Sequence, residues 1–159
     1  YIGKDFPPRH PHLKHEPASL TLQESIRYGS NSSDPVVFAE WDTLVQYPGG
    51  FGRAILGPER REFLMTFYHQ LHCVREIQKA LVNHNDISAP PFHVKHCLDY
   101  LRQTLLCSAA DILEPGDFLE RNWTIERRGG DLTCWDWELV YQDLDDNWRE
   151  FVEWRKKWH

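Results

Sequence analysis

Four stretches of the chain carry apolar residues at helical spacing. Asp34-Pro35 reads as an N-cap followed by proline at the first helical position, opening a short helix to about Gln46. Tyr47-Pro48-Gly49-Gly50 ends it. Gly57-Pro58 opens a long segment rich in Glu, Arg, Leu and Gln, helix-compatible to about Asn83. After the break at Ala89-Pro90-Pro91, a second strong helix is predicted from Phe92 to Cys107. In the tail, Trp135 to Lys157, the residues Leu144, Trp148, Phe151, Val152 and Arg155 recur at helical spacing. Between these, Glu114 to Asp131 is interrupted by Pro115-Gly116 and Gly129-Gly130 and predicts no clear element. The expected fold is mainly α: one small helical domain over residues 18–159 with long irregular connections. Residues 1–17 hold four prolines and no periodic pattern, so they read as an extended stalk, with His10, His12 and His15 as solvated linker histidines.

The two strongest helices share one pattern. His69-Gln70-Leu71-His72-Cys73 and His93-Val94-Lys95-His96-Cys97 match at both histidines and the cysteine, at a uniform offset of 24 residues. Positions i and i+3 lie on one helix face, so each pair of imidazoles can share a metal. On the first helix Leu64, Phe67, Leu71, Val74 and Gln78, extended by Leu81, form one stripe, with His69, His72 and Cys73 on the other side at ~100° per residue. On the second, Val94, Leu98, Leu101 and Leu105 form the aliphatic stripe, while His93, His96, Tyr100 and Cys107 point away from it. Helices joined by a short loop pack antiparallel, which would bring four imidazoles together on a second, polar seam.

Composition narrows the function classes. The 159 residues include 24 Asp and Glu against 18 Lys and Arg, a net charge of −6. That balance argues against non-specific nucleic-acid binding. No apolar run approaches the ~20 residues needed to span a bilayer. The chain begins at Tyr1 rather than Met, and an N-terminal membrane anchor is expected to precede it. The sequence is rich in unusual side chains, with nine His, four Cys and seven Trp. Cys73, Cys97, Cys107 and Cys134 follow no CxxC spacing, which excludes a zinc ribbon or thioredoxin reading. Two sequons, at Asn31 and Asn122, lean with the even cysteine count toward a secretory-pathway lumen, where glycans are added and disulfides persist. His84 and His159 have no assigned role, and Trp135, Trp137, Trp148, Trp154 and Trp158 read as core or as an aromatic binding surface.

The donor type points to a metal. The repeated motif offers imidazoles and no carboxylate, which disfavours Mg²⁺ and Ca²⁺ and weakens a two-histidine-one-carboxylate iron site. Imidazole-rich sites suit copper or zinc, and the affinity order favours copper. The cysteines could be further ligands, or a Cys73–Cys97 disulfide could brace the helices with Cys107–Cys134 as a second bridge. Three pairings are open. Asp99, Asp111 and Glu76 are candidates to accept the second N–H of a ligand imidazole, with Glu76 better read as a solvated helix-face charge.

At these residues the sequence resembles the UstYa-like family of fungal secondary metabolism. The resemblance is carried by Tyr68 to Cys73, by His93 to Cys97, by Asp99-Tyr100-Leu101-Arg102-Gln103, and by Cys107 and Asp111. Tyr1-Ile2-Gly3, Trp41 and Leu44 also resemble family positions. The chain departs from the family near its C-terminus, where Leu132 and Trp135 stand in place of a usual His and Arg around Cys134. The resemblance implies a single-pass membrane protein with a lumenal oxidase domain. It also implies macrocyclisation or cross-linking of ribosomally made peptides through Tyr or Phe, or hydroxylation, halogenation or dehydrogenation of small metabolites. The expected site is one or two copper ions on His69, His72, His93 and His96, with O₂ as oxidant and Tyr68 and Tyr100 lining the pocket or carrying an electron. Pairing with a second copy or a second family member is a further expectation. The alternative from another class is a non-catalytic interaction domain with a structural zinc.

Overall fold

The computed structural model describes residues 1–23, 25–31, 34–109, 122 and 128–158, with only the backbone at 128 and 129. Along the chain they form β1 (Pro17–Gln23), α1 (Pro35–Gln46), β2 (Arg53–Leu56), β3 (Arg61–Leu64), α2 (Thr66–Val82), α3 (Pro91–Ser108), β4 (Arg128–Trp135) and α4 (Trp137–Trp158). Mainly α therefore holds, with two small antiparallel sheets added: β1 against β4, and β2 against β3. Among the described residues no helix is long and apolar enough to cross a membrane.

The capping prediction for α1 is met: Asp34 accepts the Val36 N–H at 2.9 Å and Pro35 occupies the first turn. α3 and α4 also fall within two residues of their predicted bounds. The helix expected to open at Gly57-Pro58 does not. Residues 53–64 form the β2–β3 hairpin instead, with Gly57 at φ +77° and Arg60 at φ +49° carrying the chain around its turn. Arg53 and Glu62 form an ion pair across it at 3.3 Å, so charges that read as helix formers serve a strand pair. α2 begins only at Thr66, and Leu64 belongs to β3 rather than to a helical stripe.

The sheet of β1 and β4 was not predicted. It pairs Pro17 with Trp135 and Leu20 with Leu132. The alternation Leu20-Thr21-Leu22-Gln23 is the period-two signal that marks it. Residues 1–16 have no helix or strand, as a stalk would, yet they rest on the domain. Phe6 packs on Phe63 at 5.0 Å, and the Arg61 guanidinium lies over the Phe6 ring. His10 and His12 line a cavity of about 330 Å³ with Asp143, Asp146 and Glu150, so they are not simply solvated linker residues.

Two packing units support the helices. In one, Ala54 and Ile55 of β2 meet Leu144 and Phe151 of α4 in the buried core. The Asn147 side chain completes the strand by accepting the Ile55 N–H at 2.6 Å and donating to its carbonyl at 3.0 Å. In the other, Arg75 of α2 is fully buried and donates from Nε and Nη2 to Asp42 of α1 at 2.9 and 2.7 Å. It also donates to Gln78 and stacks on Phe38 at 4.3 Å. Tyr68, at the first turn of α2, is held down by Gly52: a Cβ there would lie 2.0 Å from the Tyr68 ring. Gly52 also has φ +70°, which favours glycine for a second reason.

These contacts give two expectations for chemical denaturation. Asp42→Ala strands a buried guanidinium and should cost about 3–5 kcal/mol, whereas Arg75→Met, which removes the charge and keeps the volume, should cost less. The reverse order in urea midpoints would show that the ion pair does not organise the α1–α2 contact. Gly52→Ala combines a strained backbone with overpacking and should lose about 2–4 kcal/mol, visible as a lowered melting temperature.

Candidate metal centre

α2 presents His69, His72 and Cys73, and α3 presents His93, His96 and Cys97. Joined by residues 83–90, the helices run antiparallel as expected, with His69 opposite His96 and His72 opposite His93, ring centroids 5.5 Å apart in each pair. Along the helices the imidazoles of one motif are 6.2 and 6.4 Å apart. All four rings are inclined to their neighbours by only 28° to 35°. The sequence therefore located the seam correctly.

Its relation to the rest of the helices is the reverse of a polar side seam beside an apolar one. The buried residues of α2 are Tyr68, Cys73, Arg75, Glu76 and Gln78, while the stripe residues Val74 and Leu81 are exposed. On α3 only Cys97 is buried, and Leu98 and Leu105 face outward. The inter-helix contact is built on the histidine and cysteine face. Cys73 and Cys97 are both fully buried there. Burial first, then the neighbouring Cys97, pushes the Cys73 thiol up to about 12. All four cysteines are free thiols, so the two expected bridges are not formed. Cys107 is exposed near the end of α3 and Cys134 is half-buried in β4.

Electrostatics favour neutral imidazoles. Burial, and then the neighbouring histidines, lower the pKa of His69. Burial also lowers that of His72, against the opposing charge of Glu76. His93 Nδ1 lies 2.8 Å from the Ser88 carbonyl oxygen. A carbonyl can only accept, so Nδ1 carries a proton, and in the neutral ring it is Nε2 that bears the lone pair. Neutral nitrogens with free lone pairs are what a metal requires. Ser88, in the loop, was not anticipated as a site residue; a serine carbonyl five residues before a histidine leaves no trace in composition.

The expected supporting residues separate clearly. Asp99 is half-buried and committed to Lys95 at 2.6 Å, which holds its carboxyl below the usual range. Asp111 lies outside the described residues. Glu76, read from sequence as a solvated charge, is 3% exposed. Its Oε1 accepts from Lys79 Nζ at 2.7 Å, while its buried Oε2 has no hydrogen-bond partner and stands 3.9 Å from His93 Nδ1. The offset of 24 residues that relates the two motifs also relates Glu76 to Tyr100. The Tyr100 ring lies 4.1 Å from His69 and 6.2 Å from His96. Tyr68, by contrast, donates its hydroxyl to the Val45 carbonyl, and burial pushes its pKa up to about 12. It fixes α2 against the end of α1 and is not part of the imidazole group.

Other expected positions lie elsewhere. Asn31 and Asn122 are exposed, as glycan acceptors must be. Leu132 is half-buried in β4, and Trp135 is exposed with His15 edge-on to it at 5.1 Å. A groove of about 560 Å³ lined by Tyr47, Trp137, Tyr141 and Arg149 contains none of the four histidines.

Among the described residues, no three His, Cys, Asp or Glu side chains yet converge tightly enough to grip one ion. The donors nevertheless fit copper or zinc: four imidazoles share one seam, the pKa values of the half-buried His69 and His72 are lowered, which favours the neutral form, and a buried carboxylate oxygen beside them is unpartnered.

The family model of the mycotoxin biosynthesis protein UstYa matches residues 54–157. The chain is 34% identical over 114 residues to oxidase ustYa of Aspergillus flavus, covering 67% of this chain and 50% of that protein. It is 28% identical over 147 residues to the UstYa family oxidase phomYe of Diaporthe leptostromiformis, covering 76% and 52%. The UstYa family oxidase phomYb of the same fungus is 33% identical over 86 residues, covering 49% and 32%. The chain thus spans about half the length of the first two relatives. No solved structure matches. The matched segment begins in β2 and contains both histidine motifs, and on it this chain belongs to the UstYa family.

Proposed function

We propose that this chain is a copper-dependent oxidase of secondary metabolism whose metal is held by His69, His72, His93 and His96. The observation that carries the reading is the convergence of these four imidazoles between two antiparallel helices, in a family whose named relatives are oxidases. Copper, when bound, would supply one-electron redox chemistry with O₂ as oxidant. The chain's own contribution is to hold the donors neutral and oriented. Partial burial lowers the pKa of His69 and His72 and so favours their neutral form, and the Ser88 carbonyl holds the His93 Nδ1–H, leaving Nε2 of the neutral ring as the donor. Tyr100 lies against His69 at the less enclosed end of the seam, where His96 is exposed, and there it would meet an incoming substrate.

The substrate class we favour is a ribosomally made peptide, oxidised at Tyr or Phe side chains to form a cross-link or macrocycle. Small metabolites undergoing hydroxylation, halogenation or dehydrogenation are the second class. The exposed Asn31 and Asn122 support a glycosylated domain in the secretory lumen. The outward Leu98, Leu105 and Leu106 of α3 support pairing with a second copy or a second family member.

Metal analysis and Cu(II) electron paramagnetic resonance on the purified chain test the site. Wild type should hold stoichiometric copper, and both His69→Ala and His96→Ala should lose most of it. Equal competition for copper by wild type and either variant would refute the ligand set. Retention of zinc alone, with unfolding on chelation and no oxygen-dependent product, would favour a structural zinc domain.

A further inference from the structure

We propose that Glu76 is the positioning carboxylate of the seam, aligning His93 and biasing bound copper toward its oxidised state. This rests on the copper reading above. Three observations carry it. Glu76 is the buried acid beside the imidazoles: its side chain is 4% exposed, whereas Asp99 is tied to Lys95 at the surface. One of its oxygens is neutralised by Lys79, and the other is buried, lacks a hydrogen-bond partner and has His93 Nδ1 at 3.9 Å. That same Nδ1 already donates to the Ser88 carbonyl at 2.8 Å. A small rotation of the carboxylate would let the N–H be shared between the two acceptors.

The chemical consequence follows from charge. A carboxylate behind one imidazole nitrogen raises electron density at the other and makes it a stronger donor. Buried from water, its negative charge also interacts strongly with nearby cations, and more so with Cu²⁺ than with Cu⁺. The network is fastened to the fold, because Lys79 Nζ also donates to Ser88 Oγ at 3.2 Å. One lysine therefore links the carboxylate to the loop residue whose carbonyl holds His93.

The repeat sharpens the assignment. At the position equivalent to Glu76, the second motif carries Tyr100 in place of an acid. Two motifs alike in their donors thus differ in what stands behind them. The Glu76 end holds and tunes, and the Tyr100 end faces the substrate.

The test measures Cu(II) and Cu(I) affinities separately, by chelator competition on the purified chain, for wild type, Glu76→Gln, Lys79→Gln and His69→Ala. Glu76→Gln should weaken Cu(II) binding by roughly ten- to a hundredfold while leaving Cu(I) binding close to wild type. For a one-electron couple each tenfold difference raises the reduction potential by about 59 mV. Lys79→Gln leaves the carboxylate charge uncompensated and should shift the preference the opposite way, which decides the matter even where Glu76→Gln fails to fold. An unchanged Cu(II)-to-Cu(I) ratio in both variants, or equal loss of both ions in Glu76→Gln, would overturn the inference. Wild-type copper binding by His69→Ala would instead strike at the metal reading itself.

Discussion

The close approach of α2 and α3 at Cys73 and Cys97 is the constraint on which the candidate site depends. The distance between packed helices is set by the side chains at the contact. Two small, fully buried side chains let the helices come close enough for imidazoles on the same face to oppose one another at 5.5 Å. Larger side chains at either position would move the helices apart and separate His69 from His96. The cysteine of each motif is thus a spacer for its histidines, whatever its oxidation state.

Much of this is legible in the amino-acid sequence itself. The i, i+3 spacing of the histidines and the repetition of the motif on successive helices were enough to predict an antiparallel imidazole seam. The cap at Asp34-Pro35 was equally plain. What misled was periodicity taken as a guide to burial. Leu81, Leu98 and Leu105 recur at helical spacing yet face outward, because α2 and α3 spend their mutual contact on the motif face. Burial of Arg75 and Glu76 was invisible for the same reason: a long charged side chain enters a core only when a specific partner waits, and Asp42 and Lys79 are supplied by tertiary and local packing. The β2–β3 hairpin was hidden by helix-forming Arg and Glu around Gly57 and Arg60, whose positive φ values decide the turn.

Support for the seam comes from outside it, through packing, an ion pair and backbone carbonyls rather than through more ligands. Tyr68 is pinned between Gly52 and the Val45 carbonyl at the N-terminal turn of α2. Seven residues further along α2, Arg75 reaches Asp42 of α1. Ser88 fixes His93 from the loop between the helices. Each of these is a contact between elements far from each other in composition and pattern, and each restricts one rotation that the histidines need restricted. A site assembled from two copies of a five-residue motif therefore inherits its precision from residues that are not repeated.

That distinction explains how a near-symmetric donor set can have one working direction. Four imidazoles related by an offset of 24 residues would, left alone, offer two equivalent approaches. The equivalence is broken by what surrounds them. On one side lie a buried carboxylate, a lysine, and a loop carbonyl. On the other lie an exposed His96 and the half-buried ring of Tyr100 against His69. Charge and enclosure accumulate at the loop end, and an exposed imidazole at the far end. A reactive centre needs both properties but cannot have them in the same place, since the groups that hold a metal firmly also block approach to it. Placing them at opposite ends of one helical pair would resolve that conflict, and Glu76 in one copy and Tyr100 in the other stand at equivalent positions of two copies that share only their histidines and cysteine.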